Sequence, residues 1–178
     1  FDDSVIQYDS ILSSNVSSMV KRNIKFSKLE KFAKSILNGS NKVTANNIGI
    51  CIDLLKNIDN PRILIVGGGT IGSGIEYITN NYRDTITSFD IYNTVNIDFI
   101  ADAHSIPLKG ESFDLIIIQA VLEHVISPIK VVNECYRVLD TGGYIYAETP
   151  FLQAVHEGAY DYTRYTVLGH RILFKQFE

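Results

Sequence analysis

Between residues 60 and 150 the apolar positions switch repeatedly between two periods: short unbroken runs and stripes at helical spacing. Ile63-Leu64-Ile65-Val66 is a continuous apolar run ending on glycine, the pattern of a strand buried on both faces. Ile71, Ile75, Ile78 and Tyr82 then follow at helical spacing. Thr85–Asp90 reads as a second strand, Asn96–Ala101 as a third, and Phe113–Gln119, centred on Leu115-Ile116-Ile117-Ile118, as a fourth. Ser127 as N-cap and Pro128 in the first turn open another helix, with Ile129, Val132, Cys135, Tyr136 and Leu139 as its expected buried face and Gly142-Gly143 as its expected end. Tyr144–Thr149 reads as a fifth strand and Leu168–Phe174 as a last helix. Strands alternating with helices predict an α/β fold, a doubly wound, mostly parallel Rossmann-like sheet.

The first 60 residues read differently. Residues 1–24 are polar and serine-rich, and no element is assigned to them. Ser27 and Glu30 have capping-box spacing, Leu29, Phe32, Ala33 and Ile36 share one face, and Gly39 is a stop signal. A second helix is expected from Thr44, with Ile48, Cys51, Ile52 and Leu55 inward. The chain therefore divides into cover helices over 1–60 and a ligand-binding core over 61–178.

Composition narrows the classes. The 178 residues are 46% hydrophobic with a formal net charge of −4, enough for one core and contrary to a general nucleic-acid or anionic-membrane binder. No apolar run approaches the ~20 residues of a membrane span. The two cysteines, Cys51 and Cys135, fall in apolar helical patterns and read as buried small hydrophobes, with neither a disulfide framework nor a metal site expected. A reducing cytoplasm is the expected location. Phe1-Asp2-Asp3 has neither an initiator Met nor a signal-peptide pattern, so a piece of a longer chain is expected.

The candidate chemistry begins at Gly67-Gly68-Gly69-Thr70-Ile71-Gly72, between a strand and a helix. Glycines there let the backbone turn and approach a ligand, and a following helix N-terminus would offer free N–H groups. Asp90, ending the next strand, can accept from both hydroxyls of an adenosine ribose. Gly67-x-Gly69-x-x-Gly72 with Asp90 also satisfies the NAD fingerprint, so the loop indicates a nucleotide and leaves its identity open.

Downstream come Ala101-Asp102-Ala103, Ile106-Pro107-Leu108, Ser112-Phe113-Asp114, Gln119-Ala120-Val121-Leu122-Glu123-His124-Val125, and Glu134-Cys135-Tyr136-Arg137-Val138-Leu139 with Gly142-Gly143. In this order, over about 62–150, they resemble the class I S-adenosylmethionine-dependent methyltransferases, of the type 11 kind. The resemblance implies S-adenosyl-L-methionine as cofactor, with Asp102 accepting from the adenine amino group and Ala103 presenting a backbone N–H to the ring. Gly67, Gly68, Gly69, Gly72, Asp90, Ile91, Gln119 and Ala120 are the other implied cofactor contacts. Two departures stand out: Ile65 occupies the usual acidic position on the first strand, and Ile71 that of a third glycine. The family has seven strands, so the sheet here is expected to lack the last one or two, with Phe174–Glu178 approaching a sixth. A bare fifth-strand edge would then need a second copy of the chain or a further segment to cover it.

The acceptor side is expected on the segment after strand five, where His156, Tyr160, Asp161, Tyr162, Arg164 and Tyr165 concentrate. His156 is the candidate base for an acceptor hydroxyl. His124 is a second catalytic candidate, with bracing of the loop as its alternative role. Tyr160, Asp161 and Arg164 are candidate substrate contacts, Asp161 and Arg164 forming an ion pair in the alternative. O-methyl transfer to a small-molecule or carbohydrate acceptor is the leading expectation. An NAD-linked oxidoreductase and a non-catalytic binding domain are the competing ones, the former lacking a Tyr-x-x-x-Lys pair after strand five.

Overall fold

The computed structural model describes residues 42–153 and 160–177. The helix expected around Ser27–Gly39 lies outside the described residues, as does His156. Chain order is α1 (Lys42–Leu55), β1 (Ile63–Val66), α2 (Glu76–Asn81), β2 (Ile86–Asp90), β3 (Phe99–Ile100), β4 (Phe113–Gln119), α3 (Pro128–Val138), β5 (Leu139–Glu148) and α4 (Val167–Leu173). The five strands run in the order β3-β2-β1-β4-β5, every pair parallel. This is the doubly wound sheet expected, with its order reversing between β1 and β4.

β1 and β4 are central and their apolar runs point to both faces. Leu64, Val66, Ile116 and Ile118 meet Val131, Val132, Cys135 and Val138 of α3 on one side. Ile63, Ile65, Leu115 and Ile117 meet Ile48, Cys51 and Leu55 of α1 with Ile75 and Ile78 on the other. Burial pushes the Cys135 thiol up to about 12, so it packs as a small hydrophobe. Beneath the sheet, Arg62 bridges Asp114 (2.7 Å) and Asp140 (2.6 Å).

Several boundaries differ from the sequence reading. α2 starts at Glu76, not near Ile71, and Ile71 is exposed; the Glu76 carboxylate accepts from the Gly74 N–H at 2.7 Å. α3 ends at Val138, because β5 begins at Leu139 and the Gly142-Gly143 stretch forms an irregularity within that strand, with Gly142 at φ +82°. The α3 face is rotated: Val131 and Val138 are buried while Ile129 and Tyr136 are exposed. β3 is only two residues long. In place of an approach to a sixth strand, Lys175–Phe177 is a 3₁₀ turn, and Gln176 donates to Asn133 of α3 at 3.0 Å. Among the described residues, no helix is long and apolar enough to cross a membrane.

Candidate active site

Ligands of doubly wound sheets lie outside the carboxyl ends of the strands where the order reverses. Here that point is the gap between β1 and β4, spanned by the glycine loop. Gly67 turns the chain at φ +76°, and the Gly67 and Gly68 N–H groups both donate to Phe89 O at 3.0 Å. A Cβ at Gly67 would stand 2.3 Å from Val121, and one at Gly72 1.8 Å from Gln119 Oε1. Since α2 begins four residues beyond Gly72, the helix N-terminus expected beside the loop is absent from it. Gly72 packs against the end of β4 instead of seating a helix on the sheet, which departs from the dinucleotide fingerprint.

Asp90 ends β2 and Asp102 follows β3, the two strands on one side of β1. Asp90 Oδ2 accepts the Gly69 N–H (2.9 Å) and Oδ1 accepts the Tyr92 N–H (3.1 Å), fixing the carboxylate at the tip of β2 next to Ile91. Asp102 Oδ1 accepts the His104 N–H (2.8 Å) and pairs with His104 Nδ1 (2.6 Å). His104 Nε2 in turn accepts the Ser127 N–H at 3.2 Å, so its proton sits on Nδ1 and points to Asp102. Ala103 beside it is buried. The turn that follows is held by Arg137, which donates to Leu108 O and Ile106 O, each at 2.8 Å, and pairs with Glu134 at 2.7 Å. Glu134 closes the set by accepting the Ile106 N–H at 2.8 Å.

Gln119 and Ala120 end β4, and Ala120 takes the left-handed conformation at φ +53° while its N–H donates to Glu148 O. Such strain in a non-glycine residue concentrates at functional sites. Gln119 Nε2 donates to Glu148 Oε2 (3.2 Å) and Ser73 O (3.4 Å). The same carboxylate oxygen accepts from Thr44 Oγ1 (2.6 Å) and Tyr146 OH (2.7 Å), tying α1 to the sheet's carboxyl end. Burial, and then the Glu148 carboxylate, push the Tyr146 phenol up to about 12. Two buried side-chain oxygens, Ser88 Oγ beneath Gly68 and Gln119 Oε1 beside Gly72, have no hydrogen-bond partner among the described residues.

On the acceptor side, the backbone carbonyl of Glu123 accepts the Tyr162 (2.7 Å) and Thr163 (3.3 Å) N–H groups. His124 Nδ1 donates to Tyr160 O at 2.7 Å, so the turn after β4 and the 160–163 segment are stitched together. The fully buried Glu123 carboxylate lies 3.7 Å from His124 Nε2. Asp161 is buried and bonded to both terminal nitrogens of Arg164, which directs these two charges at each other rather than outward. Tyr160 and Tyr162 are exposed, whereas Tyr165 packs edge-on to His170. Burial pushes the His170 imidazole below its usual range.

Sequence reasoning finds the loop, Asp90, Asp102 and the end of β4, but not the Thr44–Tyr146–Glu148 set. Thr44 and Glu148 are 104 residues apart and neither belongs to a local motif. Among the described residues, no three His, Cys, Asp or Glu side chains are grouped to hold a metal ion.

Residues 64–147 match the family model of the methyltransferase domain. Three solved structures share the fold. A chain of the complex between the Haloferax volcanii Trm112 methyltransferase activator and a methyltransferase is 18% identical, with a TM-score of 0.51 over 70% of this chain and 65% of that one. A SAM-dependent methyltransferase from Aquifex aeolicus is 16% identical, with a TM-score of 0.51 over 71% and 77%. Protein PH0226 of Pyrococcus horikoshii OT3 is 15% identical, with a TM-score of 0.50 over 74% and 80%. The chain thus spans less than two thirds of the Haloferax chain's length. No curated protein sequence matches it.

Proposed function

We propose that this chain, whose residues 64–147 match the methyltransferase-domain family model, is a class I S-adenosylmethionine-dependent methyltransferase that transfers a methyl group to a hydroxyl of a small-molecule or carbohydrate acceptor. The observation that carries the reading is the pair of anchored carboxylates after β2 and β3, Asp90 and Asp102, each oriented by backbone N–H groups. A carboxylate at the tip of β2 suits a ribose diol, and one after β3 suits an exocyclic amino group. Gln119 Oε1, buried and unpartnered among the described residues, suits the amino-acid end. The donors and acceptors present therefore fit the cofactor.

When bound, the cofactor supplies an activated methyl on a sulfonium, so the protein's task reduces to alignment and removal of one proton. Gly67–Gly72 and Ala120 bring backbone close to the ligand, while Asp90, Asp102 and Ala103 hold its adenosine. The acceptor hydroxyl proton goes to His156, whose ordinary pKa suits a base near neutrality. His124, with Nδ1 committed to Tyr160 O, braces the described segment that starts at Tyr160. Tyr160 and Tyr162 offer exposed ring faces to the acceptor, and the Asp161–Arg164 pair shapes their loop.

Calorimetric titration with S-adenosylmethionine, S-adenosylhomocysteine and NAD tests the cofactor. Binding of the first two and not the third is expected; preferential binding of NAD overturns the reading. For the base, His156→Ala is expected to lower kcat by about 10²-fold or more with little change in S-adenosylhomocysteine affinity. Unchanged kcat removes His156 from that role.

A further inference from the structure

The amino-acid end of the cofactor carries an ammonium group, which binds best against a carboxylate or an acceptor polarised by one. The first strand supplies none: Ile65 is apolar and 6% exposed. The structure offers a different source of negative charge. Gln119 Oε1 is a buried acceptor without a hydrogen-bond partner among the described residues, and it faces the loop closely enough that a Cβ on Gly72 would meet it at 1.8 Å. Its amide orientation is set from behind, since both acceptors near Nε2, Glu148 Oε2 and Ser73 O, require the N–H side there. Glu148 is itself fixed by the Thr44 and Tyr146 hydroxyls, which donate to the same oxygen.

We infer that Glu148 at the end of β5 is a positioning residue for the cofactor's ammonium group, acting through Gln119 and doing from the fifth strand what an acid on the first strand would do directly. The inference rests on the cofactor reading above. Glu148 orients Gln119 so that Oε1 faces the loop, and its charge polarises the amide toward a cation. Thr44 makes α1 part of the same device, because the helix contributes the hydroxyl that holds the carboxylate in place.

The test compares S-adenosylhomocysteine with 5′-methylthioadenosine, which shares the adenosine and thioether but lacks the amino-acid end. Kd values are measured calorimetrically for the wild-type protein, Glu148→Gln, Gln119→Leu and the double variant. Each single variant is expected to bind S-adenosylhomocysteine about 10-fold more weakly while 5′-methylthioadenosine stays within about twofold. The double variant is expected to be no weaker than the worse single one, as for groups acting in series. Binding of 5′-methylthioadenosine reports that each variant is folded. Equal losses for both ligands would make Glu148 a purely structural residue and overturn the inference, as would additive losses or no loss. A wild-type protein that binds S-adenosylhomocysteine yet shows any of these outcomes leaves the cofactor reading standing. A wild-type protein that binds neither ligand overturns both.

Discussion

Arg137→Ala is expected to unfold more than an ordinary surface truncation would, because Arg137 staples the Ile106–Leu108 turn to α3. Its guanidinium donates to two backbone carbonyls at 2.8 Å and to both carboxylate oxygens of Glu134 at 2.8 and 2.7 Å. A bond from a charged donor contributes roughly 1.5–3 kcal/mol, and an exposed ion pair only about 0–1 kcal/mol. The Arg137 side chain is 40% exposed, so the lower ends apply, and the two carbonyls dominate. The sum is about 2–4 kcal/mol, or a fall in Tm of about 5–15 °C for a chain of this size. Urea unfolding at pH 7 with constant m measures it. The same variant separates the pair by pH. Arg137 holds the Glu134 carboxyl below its usual range, so that contribution is fully present above the unfolded value of about 4.3 and is lost as pH falls through the lower folded value. The stability gap between wild type and Arg137→Ala should therefore narrow as pH drops below about 4. A loss under about 0.5 kcal/mol at pH 7, the range of neutral surface changes, refutes the staple.

Gly67→Ala places a side chain at φ +76° and 2.3 Å from Val121 Cγ2, so about 1–3 kcal/mol of stability should disappear in the same urea assay. His104→Ala removes the imidazole contact to Asp102 Oδ1, leaving the backbone N–H of residue 104, and frees the Ser127 N–H. Wild type should favour S-adenosylhomocysteine over its inosine analogue, which lacks the amino group, and the variant should lose about fivefold or more of that preference with Tm nearly unchanged. Arg62→Ala leaves Asp114, whose side chain is 15% exposed, without its bidentate cation beneath the sheet. A loss of about 1–3 kcal/mol is expected, and because Arg62 holds the Asp114 carboxyl below its usual range, the wild-type advantage should fade in acid.

The central strands were the most legible elements for a physical reason. A strand covered on both faces is apolar along its buried stretch: β1 is apolar at all four positions, and β4 is continuously apolar over Leu115–Ile118, between Asp114 and Gln119. α3 was legible as a helix but not in its orientation. Its stretch carries two apolar stripes, and only the packing decides that Val131 and Val138 face the sheet while Ile129 and Tyr136 face outward. The start of α2 was misread because Ile71 continues a helical spacing from within the loop. Gly72, packed against Gln119, and Gly74, at φ +100° beside Thr44, keep that stretch non-helical until Glu76. Asp161 and Arg164, three residues apart, could be paired from sequence, whereas Thr44 and Glu148 meet only through the fold.

The motifs that resemble a methyltransferase divide, in three dimensions, into groups that can meet a ligand and groups that hold them. In the proposed reading Asp102, together with Asp90 outside those motifs, is of the first kind. Glu134 and Arg137 belong to the second, for their bonds run to each other and to the Ile106–Leu108 turn. His104 joins the two, carrying the position of the Ser127 N–H at the start of α3 onto the Asp102 carboxylate. The two supports bracket one short stretch, with His104 fixing Asp102 and Arg137 fixing the turn that follows. Their order along the chain is thus the order of a mechanical connection from the last crossover helix to the adenine end of the proposed site. The other end of that site depends on β4, β5 and α1 through Gln119, Glu148 and Thr44. If both connections operate, substitutions at Arg137 and at Glu148 should weaken the cofactor at opposite ends. Methylthioadenosine then separates them: its affinity falls with the first and stays with the second.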